Sequence, residues 1–210
     1  MKRIVVVSSM VLLLFFAFQC DDKKKPNNPR LEDPSYYFPI NLHYKWTYAI
    51  LGNQCSATGD TFVITAETKN NRIIDGVSYS GWDMVTSPGG GISFVYRVGD
   101  SIFYKKNVND PLPPYMILVG PIRVGTVWKG TSLYGYEYRI LGFEDLYSPI
   151  ANDTYSGCAK VERTSSDDSK TIKYFWWAPQ KGKVKEAVYQ SGECQQGEEL
   201  KRLDKPPDTP

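Results

Sequence analysis

The sequence predicts an all-β fold: a single antiparallel meander sheet curled into a barrel or half-barrel, with little helix. Three observations predict it. Short runs alternate apolar and polar residues with a period of two, and turn residues separate those runs at short spacing. Beyond residue 35 no window sustains the i, i+3, i+4, i+7 apolar spacing of a capped helix. About 170 residues carry the pattern, enough for one domain with a sizeable core.

Ahead of that domain stand two segments of other character. Lys2 and Arg3 precede an apolar run over residues 4–18 that only Ser8 and Ser9 interrupt. This is the layout of a secretory signal, and the run is short for a helix that must cross about 30 Å of hydrocarbon at about 1.5 Å per residue. Residues 1–19 therefore read as a cleaved signal peptide. Ala17-Phe18-Gln19-Cys20 resembles a lipobox, in which Cys20 is diacylated and becomes the new N-terminus. Ala17 and Gln19 depart from the usual Leu and small residue, so the alternative is an ordinary signal with Cys20 left as a plain cysteine. Residues 20–35 then read as the lipidated cysteine and a disordered tether, with Pro26, Pro29 and Pro34 and almost no apolar side chain. The Asp21-Asp22 pair resembles an inner-membrane retention signal of enteric bacteria and, equally, the acidic surface-export tag of Bacteroidetes lipoproteins.

Within residues 36–204 the strands follow in order. Phe62, Ile64 and Ala66 alternate with Val63, Thr65 and Glu67. Around Val77, Tyr79, Trp82 and Met84 the apolar phase slips at Gly81, which reads as a β-bulge. Ile92, Phe94, Tyr96 and Val98 form the next strand, and Gly99-Asp100 leads from it into Ile102-Phe103-Tyr104 with the spacing of a tight hairpin. Tyr134, Tyr136, Tyr138 and Ile140 share one face. Further strands fall at 158–163, 171–177 and 184–190, separated by turns at 164–169 and 179–182. Residues 205–210 read as a disordered tail.

One echo joins the two halves. Pro39-Ile40-Asn41-Leu42-His43-Tyr44-Lys45-Trp46 and Pro121-Ile122-Arg123-Val124-Gly125-Thr126-Val127-Trp128 share Pro, Ile, an aliphatic three residues on and Trp seven on. The favoured reading is a repeated construction device, a proline-fixed approach, a tight turn and a Trp that plugs the core. The other is a duplication of half-domains.

The string Tyr37-Phe38-Pro39-Ile40-Asn41-Leu42-His43-Tyr44-Lys45-Trp46-Thr47-Tyr48 resembles the Y-F-P-L-x-V-G-x-x-W-x-Y start of uncharacterised bacterial lipoproteins. Trp177-Ala178-Pro179-Gln180-Lys181-Gly182-Lys183-Val184-Lys185 is similar to their A-P-G-V-G-L-V-K segment, departing at Gln180, Lys181 and Lys183. The resemblance implies a β-rich envelope domain and no known activity. A half-barrel like that of lipoprotein carriers is an analogy of fold only.

Charge, cysteines and motifs bound the function. Basic and acidic residues number 25 and 23; losing the signal removes Lys2 and Arg3 and leaves 23 of each. Nucleic acid is therefore not an expected partner. The runs at Lys23-Lys24-Lys25 and Lys181-Lys183-Lys185 read as solvated tether and strand edge. With Cys20 taken by lipid, Cys55, Cys158 and Cys194 remain for an oxidising compartment. Cys55 and Cys194 sit in loop-like sequence and are the favoured pair over the other two pairings. No C-x-x-C, no histidine pair and no cysteine cluster at ligand spacing occurs, so redox, metal and cofactor chemistry have no motif behind them. His43, the sole histidine, falls in a turn, and Gly89-Gly90-Gly91 reads as a loop. Glu137, Glu144 and Asp145 are the carboxylates a glycosidase would draw on.

Aromatics are the remaining lead. Tyr174-Phe175-Trp176-Trp177 places two aromatics on each face of one strand. If one pair is core, the other is either a binding ledge or a second covered face, and the covered face is favoured. The leading expectation is thus a non-catalytic binding or assembly module, lipid-anchored to the membrane of the bacterial envelope on the periplasmic face or cell surface. Its partner would be an envelope protein, glycan or lipid, and it predicts a cleft lined by aromatics. An accessory lipoprotein that docks through a flat patch is the second expectation. A carbohydrate hydrolase, needing two carboxylates across a groove, is the third.

Overall fold

A computed structural model describes residues 29–40, 43–107, 112–130, 135–168 and 170–205. The signal peptide, Cys20 and the tail from residue 206 lie outside these residues. Two helical turns, α1 (Pro29–Glu32) and α2 (Pro34–Tyr37), precede twelve strands. These are β1 (Lys45–Leu51), β2 (Ala57–Ile74), β3 (Val77–Ser87), β4 (Ile92–Val98), β5 (Ser101–Lys105) and β6 (Tyr115–Val119), then β7 (Val127–Lys129), β8 (Tyr136–Ser148), β9 (Asp153–Ser165), β10 (Thr171–Ala178), β11 (Gly182–Gln190) and β12 (Glu193–Asp204). All belong to one antiparallel sheet, nearly closed into a barrel.

The order along the sheet explains the shape. Strands consecutive in sequence pair except β6 with β7, and β1 also pairs with β12, so the first and last strands meet in the middle of the sheet. β6 and β7 are left as the two edges. Across that gap the Trp128 indole N–H donates to the Met116 carbonyl at 3.2 Å. Two-residue turns make the sharpest reversals: Asp75 and Gly76 both take positive φ (52° and 80°), the pairing of conformations that matches strand twist in a hairpin. The predicted Gly99-Asp100 hairpin is present, with Val98 opposite Ser101.

The expected bulge at Gly81 is not there. β3 pairs without interruption with β4, and the extra residue is Glu67 on β2, between the Ala66–Met84 and Thr68–Asp83 pairs. The apolar phase changes along β3 because its two ends are covered on opposite faces. Met84 lies in the main core, whereas Tyr79 packs against Tyr96 at 4.6 Å, in a small cluster with Ile74 and Phe94. Gly81 serves the close approach of β3 to β4: a Cβ there would stand 2.4 Å from the Val95 carbonyl oxygen.

The tether expected through residue 35 is already docked earlier. Asp33 caps α2 by accepting the Ser35 N–H at 2.8 Å, with Pro34 pre-set for the first helical position. Glu32 pairs with Arg123 at 2.5 Å and Asp33 with Arg97 at 3.1 Å, and Pro34 and Tyr37 are buried. Local composition conceals this, because the partners that hold these residues lie more than sixty positions away. The chain then runs through Phe38 into β1, where Trp46 is buried at 2% exposure.

Candidate functional site

Inside the curled sheet lies a cavity of about 430 Å³. Period-two alternation builds its wall. On β1 the inward positions are Trp46 and Tyr48, on β2 Phe62 and Ile64, on β3 Met84 and Thr86, on β4 Ser93 and Val95, on β10 Lys173, Phe175 and Trp177. Phe38 closes one end. Its ring stacks on Trp46 at 6.3 Å and meets Trp177 edge-on at 5.3 Å. Tyr138 continues the aromatic lining and stacks on Trp128 at 5.2 Å with the planes 5° apart. A volume of this size, apolar wall and few converging polar groups are the features of a small-molecule pocket.

The polar groups form one network. Lys183 pairs with Glu186 at 2.8 Å and with Glu198, and Lys173 pairs with Glu186. Tyr48 donates its hydroxyl to the Lys183 carbonyl at 2.8 Å. Burial opposes ionisation of Glu186, yet the two lysines overcome it and hold that carboxyl down to about 2. Burial also works against Lys183, but Glu186 and Glu198 outweigh it and hold its ammonium well above the ordinary lysine range. Lys173 goes the other way. Burial lowers it, Glu186 raises it, and the like charges of Lys183 and Arg163 leave it below its ordinary value. Arg163 completes the polar lining: its guanidinium lies 4.1 Å over the Tyr136 ring, and its charge favours ionisation of the Tyr138 hydroxyl, which burial opposes.

The aromatic string divides as its alternation requires. Phe175 and Trp177 line the cavity. Trp177 is buried, and its indole N–H has no hydrogen-bond partner among the described residues. Tyr174 and Trp176 point the other way and are covered. Trp176 donates to Glu144 at 2.5 Å, and Lys160 lies over both rings at 5.2–5.3 Å. Cys55 and Cys194 form a disulfide with their Cα atoms 5.6 Å apart, tying the loop after β1 to the start of β12. Cys158 is free and buried, which pushes its thiol up to about 12 and leaves it little thiolate at neutral pH. His43 stands exposed in its turn.

Two readings of charge need correction. Lys183 and Lys185 are not a solvated strand edge: Lys183 lines the cavity, and Lys185 pairs at 2.9 Å with Glu199, which is 2% exposed. None of Glu137, Glu144 and Asp145 lines the cavity; Glu137 pairs with Arg139, Glu144 with Trp176 and Lys160, and Asp145 accepts the Gly157 N–H. The carboxylates inside are Glu186 and Glu198, both matched to lysine. Sequence reasoning missed them because a charged residue at an inward position breaks the apolar pattern that marks a core face. One signal was available: Lys173 shares the parity of Phe175 and Trp177 and must face the same way.

No protein-family model and no curated protein matches the chain. Solved structures similar to it include a protein named as exported, with a YmcC-like fold, from Bacteroides fragilis NCTC 9343. It shares 13% identity at a TM-score of 0.49, over 81% of this chain and 99% of that one. A protein named as a lipoprotein from Parabacteroides distasonis ATCC 8503 shares 15% identity at a TM-score of 0.44, over 80% of this chain and 98% of that one. At this identity and looseness of superposition, neither carries an activity over to this chain.

Proposed function

We propose that the protein is a lipid-anchored, non-catalytic binding module of the bacterial cell envelope, holding a small, largely apolar ligand inside its barrel. The observation that carries this reading is the cavity of about 430 Å³ walled by aromatic side chains from both halves of the sheet. A cleft lined by aromatics is what separates a binding module from an accessory lipoprotein that docks through a flat patch. The Cys55–Cys194 disulfide supports an oxidising compartment, and the signal and Cys20 support attachment to a membrane.

The test of binding is a titration with the neutral probe N-phenyl-1-naphthylamine, followed by its emission and by quenching of tryptophan fluorescence. Saturable one-to-one binding is expected. Thr86→Phe, which fills the cavity from a half-buried position on β3, should weaken it while the circular dichroism spectrum is kept. Absence of saturable binding, or binding unchanged in the folded Thr86→Phe protein, overturns the reading. Intact mass of protein purified from native membranes tests the anchor: an acyl increment on an N-terminal Cys20 supports it, and an unmodified mature chain removes it.

A further inference from the structure

We propose that the ligand is an amphipathic anion, seated with a carboxylate or phosphate head at Arg163 and an apolar body against Phe175 and Trp177; this rests on reading the barrel interior as a binding cavity. Its size follows from the volume, about 430 Å³. At about 30 Å³ for each water it would otherwise hold, that is room for on the order of 15 non-hydrogen atoms.

The cavity has a polar end and an apolar end. Lys173, Phe175 and Trp177 occupy successive inward positions of β10, so Lys173 and Trp177 are about 13 Å apart at about 3.3 Å per residue. Register puts Arg163 opposite Lys173, Val161 opposite Phe175 and Ala159 opposite Trp177. The apolar end is closed by Phe38, Trp46 and Trp177. The charged end opens outward, since Arg163 also lines a surface recess with Thr164 and Thr171. Asp167 and Asp168 in that recess are held by the Ser166 hydroxyl and the Lys170 N–H.

Charge at the polar end is unbalanced. Lys173, Lys183 and Arg163 face Glu186 and Glu198. Glu186 is shared by the two lysines and Glu198 is matched to Lys183. Arg163 has no carboxylate partner among the described residues; it is held by rings, over Tyr136 and against Tyr138. The depression of Lys173 below its ordinary value, to which Lys183 and Arg163 contribute after burial, has the sign expected where positive charge is in excess. A guanidinium presents a fork of donors matched to a carboxylate or phosphate, and it is strongest away from bulk water. A neutral amphiphile gains only the apolar contacts, and a cationic one meets repulsion.

Displacement of N-phenyl-1-naphthylamine by three twelve-carbon amphiphiles below their micellar concentrations tests this. Dodecanoate or dodecyl phosphate should displace the probe at concentrations at least about tenfold lower than dodecyltrimethylammonium, as one charged hydrogen-bonded contact gives. The order of the two anions tells carboxylate from phosphate. Arg163→Gln, with each displacement referred to the folded variant's own probe affinity, should bring the better anion to within about threefold of the cation, and Arg163→Lys should retain part of the preference. If all three amphiphiles displace alike while the probe still binds, the anion inference fails and the cavity reading stands. If an anion preference persists undiminished in Arg163→Gln, the head is elsewhere and the inference is also overturned. If the probe never binds, the underlying reading falls first.

Discussion

Lys183→Met removes the cation against which both interior carboxylates are balanced. In the parent protein Lys183 pairs with Glu186 at 2.8 Å and with Glu198, while Glu186 keeps a second partner in Lys173. Glu198 has no other ion pair among the described residues, so the variant leaves one carboxylate inside the barrel uncompensated. Breaking a buried pair costs about 3–5 kcal/mol, and the lower end applies here because Glu186 keeps Lys173. For a domain of this size about 3 kcal/mol corresponds to a fall of about 6–12 °C in Tm. Lys181 supplies the control two residues away. Its 2.8 Å pair with Asp153 is exposed, at 38% and 50%, and Lys181→Met should cost less than about 1 kcal/mol. A pH series adds a second readout. Glu186 is held from 4.5 down to about 2, and a depressed carboxyl contributes stability that is present above its unfolded value and lost as pH falls through the folded one. That contribution is about 3 kcal/mol, disappearing between about pH 5 and pH 2. Without Lys183 the folded value lies closer to 4.5, so the acid loss should be smaller and complete at a higher pH. Thermal melts of the disulfide-intact proteins at pH 7, and from pH 6 to pH 2, measure both. A Lys183→Met protein that melts within about 2 °C of the parent at pH 7, or no lower than Lys181→Met, refutes the reasoning.

Three further outcomes are expected. The disulfide closes a loop of 139 residues, for which chain entropy sets an upper figure of about 5 kcal/mol at 25 °C; Cys55→Ser with Cys194→Ser should lose about 2–5 kcal/mol in urea titrations, and an unchanged midpoint contradicts this. Gly81→Ala drives a Cβ to 2.4 Å from the Val95 carbonyl oxygen, a backbone atom that moves only if β3 and β4 part. A loss of about 1–3 kcal/mol is expected by the same assay, against less than about 0.5 kcal/mol for Gly142→Ala, where a Cβ meets nothing within 4 Å. His43 is exposed and holds φ at 63°, so His43→Gly should raise stability by about 0.5–1 kcal/mol; a loss would show that the imidazole has a structural role.

Legibility in the sequence followed where each strand's apolar residues point. The runs around residues 62–67 and 92–98 alternate with a period of two, since one face of each packs into the barrel, and both are strands; 101–105 and 171–177, which the turns beside them place, are strands too. β12 was not legible. Its sequence, ECQQGEELKRLD, carries few apolar residues because Glu198 faces the cavity and Glu199 is buried against Lys185 and Ser148. A strand whose covered positions are charged looks like surface until its partners are known, and those lie on β11 and β8. The site was legible to the same extent. Phe175 and Trp177 belong to an alternation that a reader can count, but the excess of cations beside them arises from β9, β10 and β11 meeting in register.

The two Pro-to-Trp segments are alike in more than residue type. His43 and Gly125, at equivalent positions, both take positive φ (63° and 86°). Their N–H groups donate to Ala66 at 2.7 Å and to Ile140 at 2.8 Å, and each of those residues donates back at 3.0 Å, to Tyr44 and to Thr126. Trp46 then stands opposite Ile64 and Trp128 opposite Tyr138. In both hairpins the residue after the shared acceptor, Glu67 or Leu141, is skipped in pairing with the next strand. A bulge bends its strand, so β2–β3 and β8–β9 turn away from the barrel at matching points. Each supplies cover for an outer face: Ile74 and Tyr79 lie with Phe94 and Tyr96, while Glu144 and Lys160 lie on Trp176. This is why strands such as β10 carry aromatics on both faces without exposing a ledge. The second face is packed by a bent hairpin, and the face left for a ligand is the one inside.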